Sequence, residues 1–320
     1  MNRVGLYNRR VSDADFATPL SAKSRYCAVL GHPIKHSASP TMQNAGIAAL
    51  GLDWRYLAFE VHPDNLAQAI AGAKAMKFIG LNLTVPHKLL ALDLVDALDE
   101  SAREWGAVNT IRFEARDAQG EWQPMATFGE AVPEEIRTHG FNTDAGAITR
   151  SIGEDLGIEV RGAKVLLLGA GGAGRTAALK LAADGVGELF LVNRTMSKVD
   201  SLVREMAARY PGVRATAGYP AADARVDLVL NATSLGLKSG DESPLAPAQF
   251  GLERAGAAYD MIYRPAETAF LKSAKAAGCR TANGLGMLLY QGARALELWS
   301  GMNPPIEVMR GALHQNIYGG

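Results

Sequence analysis

The chain lacks the features that mark disulfide scaffolds, polyanion-binding proteins and membrane proteins. It has two cysteines, Cys27 and Cys279, far apart in sequence, which excludes a disulfide framework or cysteine-rich metal site and favours a reducing compartment. Its 33 basic and 33 acidic residues leave no net charge, so we expect neither nucleic-acid nor membrane binding. No apolar run approaches the ~18 residues that span a bilayer, and no signal-peptide core is evident, which predicts a soluble cytoplasmic protein.

What the chain does contain indicates an α/β protein of two domains. Its 320 residues, 48% hydrophobic and including 34 glycines, exceed one typical domain and suit many strand-to-helix turns. We predict a substrate-binding domain over 1–143, with a flexible arm at 1–24, and a Rossmann-type, doubly wound dinucleotide-binding domain over 144–284. The C-terminal helices, 285–320, are expected to return to the first domain.

In the first domain, short apolar runs alternate with helical patterns. RYCAVLG, WRYLAFEV, FIGLNLTV and AVNTIRF read as strands, and their alternation with helices predicts a βαβ-type sheet. A longer helix is expected after FIGLNLTV. The charged segment from Glu114 to Thr138 has no sustained periodicity, so it is predicted to be a long loop or a hairpin.

The second domain opens with a dinucleotide-binding pattern. In KVLLLGAGGAGRTAALKLAADG, a buried strand leads into Gly169, Gly171 and Gly174 and then into an Ala-rich helix. The first glycine of G-x-G-x-x-G allows a tight turn, the second lets a pyrophosphate approach the backbone, and the third lets helix and strand pack closely. A purely structural glycine turn is the alternative.

The end of the next predicted strand indicates which nucleotide is bound. NAD enzymes usually place an acidic residue about 20 residues after the glycines, to bind the ribose 2′-hydroxyl. This chain has Asn193, Arg194 and Thr195 there, followed by Lys198 and no carboxylate. Because a guanidinium suits a 2′-phosphate, the pattern predicts NADP. A solvated, capped helix start would explain the same residues.

Four residues are candidates for substrate binding and catalysis. Ser37 and Ser39 flank a predicted helix start, with Ser39 as N-cap, where a carboxylate can bind; Ser39 is equally explained as a cap alone. Lys88 falls in the first turn of the next predicted helix, where the dipole disfavours a cation and therefore suggests a function. Asp144 is its candidate partner, or else it caps the following helix.

Other polar residues leave the choice between structure and function open. Asn109 lies in an apolar strand and Gln291 on an apolar helix stripe, so each either locks the fold or faces a polar ligand. The six histidines form no ligand pair such as H-E-x-x-H, so we predict no metal. His87, beside Lys88, is expected at the surface.

Taken together, these segments resemble the shikimate dehydrogenase family from about Arg25 to Gln291. The matching motifs, in chain order, are GHPIKHSASP, NLTVPHK, GAVNT, GFNTD, GAGGAGR, NRT, NATSLG, DMIYRPAET and NGLGMLLYQ. The resemblance implies reversible, NADPH-dependent reduction of 3-dehydroshikimate to shikimate, a step of chorismate and aromatic amino-acid biosynthesis. It also implies a small-molecule partner and a monomer or homodimer.

The resemblance also implies roles for individual residues. Lys88 and Asp144 would be the acid/base pair, and the substrate would be bound by Ser37, Ser39, Thr84, Lys88, Asn109, Asp144, Tyr263 and Gln291. The cofactor would be bound by Gly169, Ala170, Gly171, Gly172, Ala173, Asn193, Arg194, Thr195, Lys198, Thr233, Met261 and Gly284. Of these, the main chain at Met261 and Gly284 would lie near the nicotinamide.

Two other functions remain open at this point. A quinate or dual quinate/shikimate dehydrogenase would share nearly all of these motifs. A non-catalytic sensor that binds NADP or a shikimate-like acid would use the segment from Glu114 to Thr138 to contact a partner. The presence of both Lys88 and Asp144 argues against the sensor.

Overall fold

A computed structural model describes residues 19–238 and 240–319 of the chain. The chain divides into two compact units, one formed by residues 1–143 and 291–320 and the other by residues 144–290. Most of the arm expected at 1–24 lies outside the described residues, which begin at residue 19. No helix within the described ranges is long and apolar enough to cross a membrane.

The first unit is built on a seven-stranded mixed sheet. Its strands are β1 (Arg25–Gly31), β2 (Trp54–Glu60), β3 (Gly80–Leu83), β4 (Ala97–Leu98), β5 (Thr110–Arg116), β6 (Trp122–Pro124) and β7 (Ile136–Phe141). Its helices up to residue 143 are α1 (Ser39–Ala49), α2 (Leu66–Ala75), α3 (His87–Leu90) and α4 (Glu100–Trp105). The strand order is β2-β1-β3-β5-β7-β4, with β6 paired to β5. Strands β1, β2 and β3 are parallel, as the alternation predicts, whereas β5 runs antiparallel to β3 and β7.

The prediction of a longer helix after FIGLNLTV is wrong. The four-residue helix α3 is followed by a 3-10 turn at Ala91–Asp93, then β4 and α4. Asp99 is the N-cap of α4, since its side chain accepts a hydrogen bond from the Ser101 backbone N–H at 2.9 Å. A new helix therefore begins at this point. One continuous helical pattern in the sequence therefore corresponds to several short elements in the structure.

The segment from Glu114 to Thr138 contains a hairpin, which is one of the two expected alternatives. Glu114 pairs in register with Pro124 of β6 on one side and with Arg137 of β7 on the other. Its carboxylate is 1% exposed and accepts hydrogen bonds from Arg137 Nε at 2.7 Å and from His139 Nδ1 at 3.0 Å. Arg112 Nε is a further donor, at 2.9 Å. Burial by itself raises the pKa of Glu114, but these hydrogen bonds outweigh it and lower the pKa from 4.5 to about 2.

The C-terminal residues complete the first unit. Helix α9 (Leu285–Ser300) begins in the second unit and ends in the first, and α10 (Ile306–Tyr318) packs on α1. Trp299 of α9 is fully buried and donates its indole N–H to the Ile111 carbonyl at 3.0 Å. A Cβ at Gly80 would lie 2.1 Å from that indole nitrogen, so only glycine leaves room for the ring.

The second unit is a doubly wound parallel sheet. Its strands are β8 (Lys164–Leu168), β9 (Glu188–Val192), β10 (Arg214–Ala217), β11 (Val226–Asn231), β12 (Ala255–Asp260) and β13 (Arg280–Asn283). Its helices are α5 (Asp144–Leu156), α6 (Gly172–Ala183), α7 (Met196–Arg209) and α8 (Ala269–Ala276), besides the start of α9. The order β10-β9-β8-β11-β12-β13 is that of a dinucleotide-binding fold. The predicted fold class is confirmed.

Candidate active site

The predicted substrate-binding residues of the first unit follow strand ends at one edge of its sheet. Ser37 and Ser39 come after β1, Thr84 comes directly after β3, and Asn109 precedes β5, which runs the opposite way. Thr84 is held against β1 because its backbone N–H donates to the Leu30 carbonyl at 3.0 Å. Ligands bind at such carboxyl edges in many α/β proteins, and the topology places these residues at an edge of that kind.

The two serines are positioned differently from the prediction. The N-cap of α1 is Ala38, with no side-chain cap, so Ser39 is the first helical residue rather than the N-cap. The Ser37 hydroxyl accepts a hydrogen bond from the Ser39 backbone N–H at 3.3 Å. This local bond between serine and backbone replaces the expected cap. Gly51, just past the helix, has φ +68°, a left-handed conformation in which helices commonly end.

Lys88 lies in the first turn of α3, as expected, but this turn is the whole helix. Four residues generate little macrodipole, so the predicted electrostatic conflict of a cation at a helix N-terminus does not apply. The Lys88 side chain is half-buried, and its backbone carbonyl accepts from the Val108 N–H at 2.9 Å. That bond fixes Lys88 beside the segment that leads to Asn109.

The expectation that His87 is a surface residue is wrong. Its side chain is 0% exposed, because the one-turn helix directs it inward between exposed Pro86 and half-buried Lys88. Burial lowers the pKa of His87, which keeps the imidazole neutral at pH 7. Lys88 therefore has no adjacent imidazolium.

The amide of Asn109 both locks the fold and retains a donor. Its Oδ1 accepts from the Thr143 backbone N–H at 2.7 Å and lies 3.3 Å from the Thr110 hydroxyl. Its Nδ2 donates to Thr143 Oγ1 at 3.0 Å. The oxygen is thus saturated, whereas the nitrogen carries a second hydrogen. Asn109 can contribute one N–H donor to a ligand, which must then offer an acceptor.

Behind Asn109 lies a buried polar network that the sequence analysis missed. Asn82 of β3 donates from Nδ2 to the Thr110 hydroxyl at 3.0 Å and to the Asn109 carbonyl at 3.3 Å. The Tyr56 hydroxyl donates to Asn82 Oδ1 at 2.7 Å. A hydrogen bond with Ser39 partly offsets the rise in the Tyr56 pKa that burial causes. The network links β2, β3 and the start of β5. The polar Asn82 within the apolar run FIGLNLTV is the sequence feature from which it could have been predicted.

The remaining predicted substrate-side residues are Asp144, Tyr263 and Gln291. Asp144 is the first residue of α5 and is 6% exposed. Tyr263 lies half-buried in the loop after β12, and Gln291 is half-buried within α9. Asp144 and Tyr263 belong to the second unit and Gln291 to the first.

The glycine turn of the second unit has the geometry of a phosphate-binding loop. Gly169, with φ +109°, ends β8, and α6 begins at Gly172 with Gly171 as its N-cap. A Cβ at Gly174 would lie 2.1 Å from the Gly169 carbonyl oxygen, so helix and strand approach each other through that glycine. Added Cβ atoms at Gly171 and Gly172 would meet no atom within 4 Å. The open space above a helix N-terminus fits a pyrophosphate.

The residues after β9 frame the same loop. Asn193 accepts from the Ala170 N–H at 3.2 Å and donates to the Thr195 carbonyl at 3.0 Å, which joins the glycine turn to the start of α7. Thr195 is the N-cap of α7 but makes no side-chain cap bond. Arg194 and Lys198 are exposed, and neither forms an ion pair with a carboxylate of the described ranges. Both cations are thus available to a phosphate.

Thr233, Met261 and Gly284 lie beyond three consecutive strand ends of the same sheet. The Met261 N–H donates to the Asn231 carbonyl at 2.9 Å. A Cβ at Gly284 would lie 2.0 Å from the Met261 carbonyl oxygen, so only glycine permits this approach of the two loops. These loops and the glycine turn therefore lie at the same edge of the sheet.

Within residues 19–238 and 240–319, no three His, Cys, Asp or Glu side chains are arranged to hold a metal ion. Both cysteines are buried and free.

Three family models match successive parts of the chain. They describe a shikimate dehydrogenase substrate binding domain over residues 29–111, a shikimate/quinate 5-dehydrogenase over residues 151–237, and a shikimate 5′-dehydrogenase C-terminal domain over residues 284–314. They cover the strands and turns that carry most of the residues described above.

Comparison with whole proteins gives the same assignment. The shikimate dehydrogenase (NADP⁺) of Moorella thermoacetica is 42% identical over 92% of this chain and 95% of its own length. The structure of Thermus thermophilus shikimate 5-dehydrogenase with NADP(H) and shikimate is 36% identical, covers 91% of this chain and 99% of that one, and superposes with a TM-score of 0.74. A quinate dehydrogenase from Corynebacterium glutamicum in complex with NAD is 28% identical over 90% of this chain and 98% of that one, also with a TM-score of 0.74. The chain belongs to the shikimate dehydrogenase family.

Proposed function

We propose that this protein catalyses the reversible, NADP-dependent reduction of 3-dehydroshikimate to shikimate, a step towards chorismate and the aromatic amino acids, with Lys88 and Asp144 as its acid/base pair. The observation that carries the proposal is the single sheet edge on which Ser37, Ser39, Thr84, Lys88 and Asn109 follow or precede strand ends, in a chain of this family. We place the enzyme in the cytoplasm as a monomer or homodimer.

Lys88 supplies the proton in the direction of reduction. NADPH, when bound, supplies the hydride that reduces the substrate carbonyl. The carbonyl oxygen then takes a proton from the Lys88 ammonium, and in the reverse direction the neutral amine accepts the proton of the hydroxyl. Asp144 is the proposed carboxylate partner that orients Lys88.

The other residues bind and orient the substrate. Ser37 and Ser39 hold its carboxylate next to the start of α1, where backbone N–H groups add to the attraction. Thr84, Tyr263 and Gln291 bind its hydroxyl groups. Asn109 offers the single N–H donor that its internal hydrogen bonds leave, so it faces an acceptor oxygen of the substrate.

The direct test is to mix purified protein with shikimate and NADP⁺ and to follow the absorbance of the reduced nicotinamide. Parallel assays with NAD⁺ and with quinate compare kcat/KM for each pair of substrates. We expect the highest value for shikimate with NADP⁺. Binding of NADP⁺ without turnover of either acid would contradict the proposal and leave the sensor function.

Quinate oxidation is the second candidate. It is favoured by the match to a model that covers shikimate and quinate dehydrogenases and by the structural likeness to a quinate dehydrogenase. That quinate dehydrogenase structure contains NAD. In this chain Arg194, a cation, follows β9 and no carboxylate does, which favours NADP. A higher kcat/KM for quinate than for shikimate would establish this alternative.

Replacing Arg194 with serine is expected to reduce the preference for NADP⁺ over NAD⁺ about 10- to 100-fold, since a charge-assisted hydrogen bond to the 2′-phosphate contributes roughly 1.5–3 kcal/mol. The ratio of kcat/KM for the two cofactors measures the effect. Arg204→Ser, on an exposed position of α7, is the matched control and should leave the ratio unchanged. An unaltered ratio in Arg194→Ser would contradict this role.

Removing the Tyr56 hydroxyl is expected to weaken substrate binding selectively. Tyr56→Phe keeps the ring that packs near Trp299 but leaves Asn82 Oδ1 without its donor, so KM for shikimate should rise about 3- to 10-fold at nearly constant kcat. Tyr259→Phe removes a buried hydroxyl that contacts Ser151 at 2.8 Å and should not change this KM. Equal KM values in both variants would show that Tyr56 serves stability alone.

A further inference from the structure

Two buried polar residues end neighbouring strands at the cofactor edge of the second unit. Asn231 is the last residue of β11 and Asp260 the last of β12, and the two are paired in register. Each is 0% exposed. On the other side of Asn231, the register partner is apolar Leu168 of β8, so the sheet itself does not require polar side chains at this level.

The Asn231 amide fixes the loop after β11. Its Oδ1 accepts from the Thr233 backbone N–H at 2.9 Å and from the Thr233 hydroxyl at 2.8 Å. Its Nδ2 donates to Asp260 Oδ1 at 2.9 Å. The orientation of Thr233, a predicted cofactor ligand, therefore depends on an amide that is itself held by Asp260.

The Asp260 carboxylate fixes the loop after β12. Oδ1 also accepts from the Ile262 backbone N–H at 3.0 Å, and Oδ2 accepts from the Thr268 hydroxyl at 2.6 Å. These bonds span the start and the end of the loop that carries Met261 and Tyr263. The Met261 N–H is bound in turn by the Asn231 carbonyl, so one pair of side chains holds both loops.

This arrangement is costly for stability. Asp260 forms no ion pair with any cation of residues 19–238 or 240–319, and a buried carboxylate without a cation is unfavourable even when it is hydrogen-bonded. Burial outweighs the three hydrogen-bond donors, so the pKa of Asp260 is raised from 3.8 to about 6. The bonds to the two loops therefore account for these residues better than the packing of the sheet does.

We propose that Asn231 and Asp260 are a positioning pair that sets the geometry of the two cofactor-binding loops carrying Thr233 and Met261, and thereby the affinity for NADP. The inference rests on the proposed cofactor use. Neither side chain needs to touch the cofactor, since Asn231 acts through Thr233 and Asp260 acts through Asn231 and the loop from Met261 to Thr268.

The test compares a disruptive and a conservative variant. Asp260→Ala removes every acceptor and is expected to raise the Kd for NADP⁺ about tenfold, as measured by titration calorimetry. Asp260→Asn should stay within about threefold of the original Kd, because the amide oxygen still accepts from Asn231 and Ile262 and its NH₂ donates to the Thr268 oxygen. Asp227→Ala is the matched control, since that carboxylate accepts from the Lys164 N–H at 2.7 Å at the opposite edge of the same sheet.

A fall in melting temperature for Asp260→Ala with an unchanged Kd would overturn the proposal, as would equal weakening in Asp260→Asn. Should Asp260→Ala fail to fold, the nearly isosteric Thr268→Val removes the single donor to Oδ2; a Kd raised about threefold or more supports the proposal, and an unchanged one contradicts it. Because calorimetry requires no turnover, failure of the proposed dehydrogenase reaction would be recognised separately, by NADP⁺ binding without oxidation of shikimate.

Discussion

Lys88→Ala is expected to lower kcat about 10²- to 10⁴-fold, or roughly 3–5 kcal/mol, with a much smaller change in KM for shikimate. The reason is that Lys88 is the proposed acid/base group: its neutral amine accepts the hydroxyl proton when shikimate is oxidised, and its ammonium returns that proton in the reduction. Since Lys88 is half-buried, its truncation should have little effect on folding. Initial rates over a range of shikimate concentrations, at saturating NADP⁺, separate the two constants.

A second lysine of the same unit provides the control. Lys74→Ala removes an ammonium that pairs with Asp96 at 3.0 Å on the protein surface and should leave kcat within about twofold, since such pairs contribute little. If Lys88→Ala retained kcat within threefold of the unsubstituted enzyme, Lys88 would not be the acid.

Glu114→Ala is expected to lower the free energy of unfolding by about 3–5 kcal/mol, because it leaves Arg112 and Arg137 partly buried without their carboxylate. Denaturant unfolding measures the change. Glu135 lies in the same segment from Glu114 to Thr138 and pairs with Arg116 at 3.2 Å on the surface, so Glu135→Ala should cost less than about 1 kcal/mol. A loss that is equal in the two variants would contradict the structural role of Glu114.

The same carboxylate predicts a pH dependence. The pKa of Glu114 is lowered from 4.5 to about 2 in the folded protein, so the folded state favours the ionised form. Its contribution is therefore complete above pH 4.5 and is lost as the pH falls towards 2. Unfolding measured across this range should show a steeper loss of stability in the unsubstituted protein than in Glu114→Gln, and parallel curves would refute this assignment.

The sequence was sufficient for the second unit because local chemistry determines it. Gly169, Gly171 and Gly174 follow a strand of apolar residues and precede a helix, and each requirement on the backbone applies within a few residues. The cation Arg194 follows the next strand by the same local logic. Strand order then follows from right-handed crossovers between parallel strands.

The first unit was harder because its details depend on distant residues. Glu114 alternates with apolar residues in TIRFEAR but is 1% exposed. Arg112 on the same face donates to the Leu298 carbonyl of α9 at 3.4 Å, so a distant helix covers that face. His87 is buried because a long apparent helix breaks into short elements. Likewise, nothing local indicates that Asn231 and Asp260 meet, since their pairing requires the register of two strands.

The position of Trp299 affects the order in which the two units fold during synthesis. Its ring fills the space above Gly80 and binds the Ile111 carbonyl, yet more than half of the chain separates it from both. The first unit to be synthesised is thus the last to acquire all of its core, whereas residues 144–290 form an uninterrupted segment. We expect the second unit to finish folding before the first, although most of the first unit is synthesised earlier.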